Sequence, residues 1–430
     1  MSMANFGYPH DDAGRLLFGD IPATELAASY GTPLIIIDTE RLDRRIALFE
    51  QAAASLDPKL EIAYAGKAFL PVALVKRLST TRLGLDCCSL GEVVVAEAAD
   101  FPAERITLHG CGKTTAELTA ATTGRVGRVV VDGLDELRRL AALAHNQQRV
   151  DILLRFNTGI EAHTHAFVRT GGDETKFGFA AREAAEAYAI IAAEPALRCI
   201  GLHSHIGSQI LESEPFLANL DALLDIALDA RAHGMNELTH LILGGGFGVA
   251  MSPKEAEKSI DLLDIIARIG TYAQERAKAL DLPKLQLGIE PGRAIIAEAG
   301  TTLYRIVAMK EHGQQRYAIV DGGMNDNPRP ALYQSYHHPE LASRSSTAAL
   351  RRITVCGRTC ENDRLVEADL PDDLAVGDLL AFHVTGAYTQ SMSSNYNRFS
   401  RPAVVFVGDG QHRLVVRREA PEELLRYESL

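Results

Sequence analysis

No apolar run in the 430-residue chain approaches the roughly 20 residues that a membrane-spanning helix needs. The N-terminus, "MSMANFGYPHDDAG", lacks a basic region followed by an apolar segment, so no secretory signal is expected. Positive charge is in deficit. Against 56 Asp and Glu there are 44 Lys and Arg, and the formal charge of −12 would repel a nucleic acid or an anionic membrane at long range. Cysteine is sparse: Cys87, Cys88, Cys111, Cys199, Cys356 and Cys360 show no zinc-type spacing and are too few for a disulfide scaffold. Reduced thiols and a cytoplasmic location are the expectation, with a cysteine left available for chemistry and no metal site foreseen. What remains is an ordinary globular composition, 47% hydrophobic and 23% charged, in a chain too long for one ordinary core.

From residue 60 to about 290, short β-rich runs alternate with Ala/Leu/Glu/Arg-rich stretches that carry apolar residues at helical spacing. Eight such runs occur: "LEIAYA" (60–65), "LGLDC" (83–87), "RITLHG" (105–110), "RVVVDG" (128–133), "DILLRFN" (151–157), "CIGLHSHIG" (199–207), "HLILGGG" (240–246) and "LQLGIEPG" (285–292). Strands separated by helices imply a parallel sheet with right-handed crossovers, and eight of them match a (β/α)8 TIM-like barrel. After about residue 298 the texture becomes strands divided by turn signals, from "TLYRIVAMKEH" to "HRLVVRRE", which reads as a C-terminal all-β domain. The strand "TPLIIIDTE" (32–40) fits either unit. The expected division is 1–40 as a segment joining the β-domain, 41–297 as the barrel and 298–430 as the β-domain.

Barrels place their chemistry at the carboxyl ends of the strands. Those ends read Lys67, Asp86, His109, Asp132, Arg155, His203 with His205, Gly244 to Gly246, and Glu290. Loops are polar in any case, which accounts for Asp132, and a lone Lys67 is ordinarily a surface residue. "LGGGFG" (243–248) suggests bare backbone N–H groups turned toward an anion, though a tight turn would read the same. It is not GxGxxG, and no acidic residue follows at the spacing a dinucleotide site requires. "EPGR" (290–293) adds an arginine after the eighth strand, where barrels often hold phosphate. A phosphate site with one strand-end lysine suggests pyridoxal 5'-phosphate held as a Schiff base. Glu290 then suits the ring nitrogen and His205 the ring face. The apolar frame of "IAYAGKAF" suits a desolvated amine at Lys67.

"YAGKAF", "FPAERITLHG", "HTHAFVRTGGDETKFG", "HSHIGSQI", "GGGFG", "EPGR", "DGGMNDNPRPALY", "RTCEND" and "GAYTQSMSSNYN" follow one another over nearly the whole chain. In this the chain resembles the fold-type III pyridoxal-phosphate-dependent decarboxylases, which share the barrel-plus-β-domain plan with alanine-racemase-like enzymes. The resemblance implies Lys67 as the Schiff-base lysine, His205 stacked on the ring and Glu290 on the ring nitrogen. Ser208, Gly244, Gly245, Gly246 and Arg293 would surround the phosphate, with Asp86, Arg155 and Tyr388 lining the pocket. Arg329 and Tyr333 would hold a far carboxylate of the substrate, with Arg293, Tyr388 and Glu361 also touching it. Cys360 and Glu361 would enter the site of a second subunit in a homodimer, and Cys360 or Lys67 would return a proton to Cα.

An arginine at 329 favours meso-2,6-diaminopimelate, decarboxylated to L-lysine, because ornithine and lysine carry only an ammonium at the far end. Arg329 and Glu361 could equally form a surface ion pair, and Cys360 could be a packing cysteine. The chain departs from the family pattern at "SLGE" (89–92), "HGCGK" (109–113), Asn362 with Asp363, and Thr389 with Gln390. A paralogous decarboxylase acting on another amino acid, or a non-catalytic binding protein of the same fold, therefore stays open at this point.

Overall fold

The computed structural model describes residues 7–56, 60–145, 149–160, 175–257, 261–282 and 285–429. Residues 163–174 of the "HTHAFVRTGGDETKFG" stretch lie outside that set. The chain forms two compact units, one of Met1–Ile46, Val249–Ser259 and Arg293–Leu430, the other of Ala47–Gly248 and Ile260–Gly292. The division falls a few residues inside the 41–297 read from the sequence, and it counts Arg293 with the β-rich unit.

The second unit is a closed barrel of eight strands. In chain order they are Glu61–Ala65, Gly84–Cys87, Ile106–Leu108, Arg128–Val131, Val150–Arg155, Leu197–His203, His240–Ile242 and Gln286–Ile289. All pairings are parallel, and the ring closes where Gly288 and Ile289 of the eighth strand pair with Glu61 and Ile62 of the first. Parallel strands need crossovers, and the Ala-rich stretches between them supply helices such as Thr115–Thr122 and Glu214–Ala232. Thr114 opens the first of these with a capping box, its side chain and that of Glu117 exchanging hydrogen bonds with each other's backbone N–H. Val130, Leu153, Ile200 and Ile242, from neighbouring strands, pack as one buried cluster. The expected (β/α)8 fold is borne out, with every strand where the sequence placed it.

In the first unit, Leu34–Asp38 is buried along its whole length. It runs antiparallel to Gly300–His312 on one side and parallel to Ala403–Gly408 on the other. That central position explains its unbroken apolar sequence. The sheet runs Arg364–Pro371, Leu350–Cys356, Gln315–Val320, Gly300–His312, Leu34–Asp38, Ala403–Gly408, Gln411–Val416. Leu379–His383 also pairs with Gly300–His312, and Pro339–Leu341 pairs with Leu379–His383. Among the described residues no helix is long and apolar enough to cross a membrane, and all six cysteines are unbridged.

Candidate active site

Because the barrel strands all run the same way, their carboxyl ends share one rim. Lys67 sits there in a single 3-10 turn, Gly66–Ala68, that follows the first strand. Its neighbours Gly66, Ala68 and Phe69 are buried while Lys67 itself is exposed. The expectation of a desolvated amine is thus not met by the chain alone. The turn buries its two small residues and leaves Lys67 accessible, with its charge felt by His205, Cys88 and Glu92.

Three histidines and two carboxylates fill the rim behind it. Glu290 is buried and takes a hydrogen bond at Oε2 from His203 Nε2, 2.9 Å away. His109 Nε2 stands 3.2 Å from Glu290 Oε1 and 3.4 Å from Asp86 Oδ1. Burial works to raise the Glu290 pKa, but the imidazoles of His203 and His109 outweigh it and hold the carboxyl well below its usual range. Burial and the Glu290 charge push Asp86 up to about 6. Burial opposes charge on His109, yet Glu290 and Asp86 prevail and raise it to about 9. His203 is lowered to about 4, chiefly by burial. Sequence reasoning had His109 and His203 at strand ends and assigned neither a task.

His205 lies two residues beyond the sixth strand, and its Nδ1 accepts a hydrogen bond from Gly245 N–H at 3.2 Å. The ring proton is therefore on Nε2. Burial, then the Lys67 charge, keep this imidazole neutral, well below its usual pKa. The triple glycine is required by close approach. A Cβ at Gly244, where φ is +71°, would come within 2.6 Å of Ser204 O and 2.7 Å of His205 Nδ1. One at Gly245 would overlap the carbonyl oxygen of Glu290. Arg155 Nη1 lies 3.4 Å from Asp132 Oδ1, so Asp132, read as a mere loop residue, is the counter-charge of a buried arginine. A cavity of about 300 Å³ elsewhere in this unit is lined by Leu220, Leu224, Ala273, Leu285 and Leu287 and holds none of these groups.

The β-rich unit gathers a second set. Helix Arg329–Tyr333 puts Arg329 and Tyr333 one turn apart on one face, with the guanidinium carbon 5.0 Å from the Tyr333 ring centre. Tyr388 lies 5.4 Å from the same carbon and 4.9 Å from that of Arg293. Arg329 is buried, its Nε has no acceptor, and it makes no ion pair among the described residues. Burial, then the charge of Arg293, lower it to about 10, which leaves it a cation at neutral pH. The surface-ion-pair account of Arg329 is thereby excluded. Tyr388 and Val384 both adopt positive φ, at 60° and 59°, a strain that β-branched and bulky residues rarely carry outside functional loops. Cys360 and Glu361 are exposed on this unit, and Glu361 Oε1 accepts from Tyr396 OH at 2.7 Å.

A family described as pyridoxal-dependent decarboxylase, pyridoxal binding domain, matches residues 40–297. The chain belongs to the pyridoxal-dependent decarboxylases. The decarboxylase is 42% identical to the diaminopimelate decarboxylase of Actinosynnema pretiosum subsp. auranticum, over 97% of this chain and 93% of that one. Its fold matches the crystal structure of diaminopimelate decarboxylase from M. jannaschi with a TM-score of 0.90 at 27% identity, covering 98% and 97% of the two chains. The Helicobacter pylori diaminopimelate decarboxylase, solved with L-lysine, matches at 0.84 and 30% identity over 94% and 98%. This decarboxylase is accordingly a carboxy-lyase whose cofactor is pyridoxal 5'-phosphate, and the non-catalytic alternative falls.

At or beside its departures from the family pattern, several residues have structural tasks. Ser89 caps helix Leu90–Ala98, and Glu92 reaches back to the N–H of Cys88 at 2.6 Å. Lys113 is buried against Glu136 at 2.8 Å and the carbonyl of Gly110 at 2.8 Å. Asp363 ties two loops, accepting from Met324 N–H at 2.8 Å and from Thr359 Oγ1 at 2.7 Å. Thr389 is buried with no partner for its hydroxyl among the described residues, and the structure offers no account of it.

Proposed function

We propose that this decarboxylase converts meso-2,6-diaminopimelate to L-lysine and CO2, working as a cytoplasmic homodimer with shared sites. The observation that carries the substrate is Arg329, a buried cation between two phenol rings with no anion of its own among the described residues. A planar guanidinium so held takes a carboxylate through paired hydrogen bonds and repels the bare ammonium of ornithine or lysine. Tyr333 and Tyr388 restrict its swing, and Glu361 offers a carboxylate for the distal ammonium.

The barrel residues fit the cofactor. A glycine loop that tolerates no Cβ, a buried Asp86 carboxylate without a hydrogen-bond donor, and a neutral His205 fixed beside that loop all support the reading. Lys67 would hold its aldehyde carbon, Glu290 its ring nitrogen and His205 its ring face. Gly244, Gly245, Gly246, Ser208 and Arg293 would take the phosphate, with Asp86 and Arg155 completing the wall. When bound, pyridoxal phosphate supplies the sink for the electron pair that the departing carboxylate leaves behind. Arg329 and Tyr333 anchor the far end of the substrate, so that only one carboxylate is free to leave. Cys360 or Lys67 then delivers a proton to Cα.

Carbon dioxide release measured across meso-diaminopimelate, L- and D-lysine, L- and D-ornithine and arginine tests the substrate. Release from diaminopimelate is expected to exceed the others by about 100-fold or more in kcat/KM, the value of a well-placed bidentate charge pair. Release from lysine or ornithine alone would sink the reading. Shared sites are tested by mixing Lys67→Ala with Cys360→Ser, each first shown to be inactive alone. Random exchange of subunits restores about a quarter of wild-type activity if each site draws on both chains, and none if it does not.

A further inference from the structure

Glu290 is enclosed by two imidazoles that do different things. His109 presents one nitrogen, Nε2, to two carboxylates at once, at 3.2 Å from Glu290 and 3.4 Å from Asp86, and is well aligned with neither. A neutral imidazole has at most one N–H to offer there and no charge to balance two buried anions. The arrangement calls for an imidazolium. Among the described residues neither Asp86 oxygen has a hydrogen-bond donor, and the His109 ring, 3.4 Å away, stands as its counter-charge. His203 is the opposite case. Its Nε2 donates to Glu290 at 2.9 Å, while its buried Nδ1 finds no acceptor among the described residues. A second proton on that ring would be stranded, which fixes His203 as a neutral donor. The two rings meet edge to face, their centres 5.1 Å apart, close enough that charge on one discourages charge on the other.

We propose that His109 is a positioning residue for the reaction, an imidazolium bridging Asp86 and Glu290 whose charge, more than the hydrogen bond from His203, keeps Glu290 an ionised acceptor toward the ring nitrogen of the cofactor. This rests on the reading of Glu290 given above. His109 is raised and His203 lowered, as this requires, whereas the lowering of Glu290 owes more to His203 than to His109, so the geometry carries the assignment. Arg128, Arg155 and Lys67 also face the cluster, as do Cys88, Glu92 and His205. The two arginines stay charged throughout the accessible pH range and cannot produce a transition within it.

The experiment is a pH titration of the visible absorbance of the holoenzyme, compared for wild type, His109→Gln, His203→Gln and Glu290→Gln. In His109→Gln the acid transition of the band should move up by about one pH unit or more, the usual effect of an opposite charge at this range. In His203→Gln, which keeps a neutral N–H donor, it should stay within about 0.3 of wild type. Equal shifts in the two variants, or no shift in His109→Gln, overturn the proposal. A wild-type titration in Glu290→Gln would instead overturn the assignment of Glu290. Should His109→Gln fail to hold cofactor, Asp86→Asn keeps the imidazole and removes its counter-charge. That variant should bring an alkaline transition down by about a unit, and its absence would overturn the bridge.

Discussion

A guanidinium surrounded by aromatic rings keeps its charge but loses its water, and it then favours any anion that reaches it. Arg329 is in that position, and its planar fork does work that a lysine cannot. Arg329→Lys is therefore expected to lower kcat/KM for diaminopimelate by about 100-fold, while the absorbance of the bound cofactor stays as in wild type. An unchanged kcat/KM would remove Arg329 from the substrate site. Residues of this kind were legible from the sequence because each is alone in its chemistry at its place: one lysine after a strand, one arginine in "RPALY". The pairing of His109 with Glu290 was not. Those residues are far apart in sequence and meet only because the barrel closes, and nothing in either local stretch announces a partner. Lys67 shows the reverse limit, since an apolar frame in sequence did not bury the side chain it frames.

The loops after the strands carry the residues assigned to the cofactor, and their backbones are as constrained as the strands. The Gly244 turn is the clearest case, with φ at +71° and the Ser204 carbonyl and His205 ring in the way of any side chain. Gly244→Ala should weaken pyridoxal phosphate binding by about tenfold or more, since relieving strain of ~1–3 kcal/mol must move His205 or the loop. Titration of the apoenzyme with cofactor measures it, and wild-type affinity would show that the loop has slack. At this scale the sequence was readable where an apolar run was unbroken, as in "RVVV" and "LIIID". It was weaker at Pro339–Leu341, a three-residue strand opened by proline, and at Arg364–Pro371, where charged residues interrupt the apolar positions.

Each unit of the molecule buries a neutral histidine, His203 in the barrel and His337 in the β-rich unit, the latter lowered to about 3 chiefly by burial. In the unfolded chain such a group binds its proton near pH 6.5, so unfolding takes up protons below that pH. The stability each native ring contributes is present above about 6.5 and is lost as the pH falls toward the folded value. Comparing the unfolding free energy of wild type and His337→Gln at pH 6.5 and 4.5, the wild type should lose about 2 kcal/mol more. Parallel loss in both proteins would mean that His337 is protonated in the native state.

What the sequence determined by itself was the barrel-plus-β plan and the family. Hydrophobic periodicity and residue type are local properties, and they survive in one dimension. Only the tertiary structure decided which strand-end groups share a proton, that Asp132 answers Arg155, and that Arg329 stands without an anion among the described residues. Those are matters of distance and dielectric between segments remote in sequence, and they come into being only when the chain closes on itself.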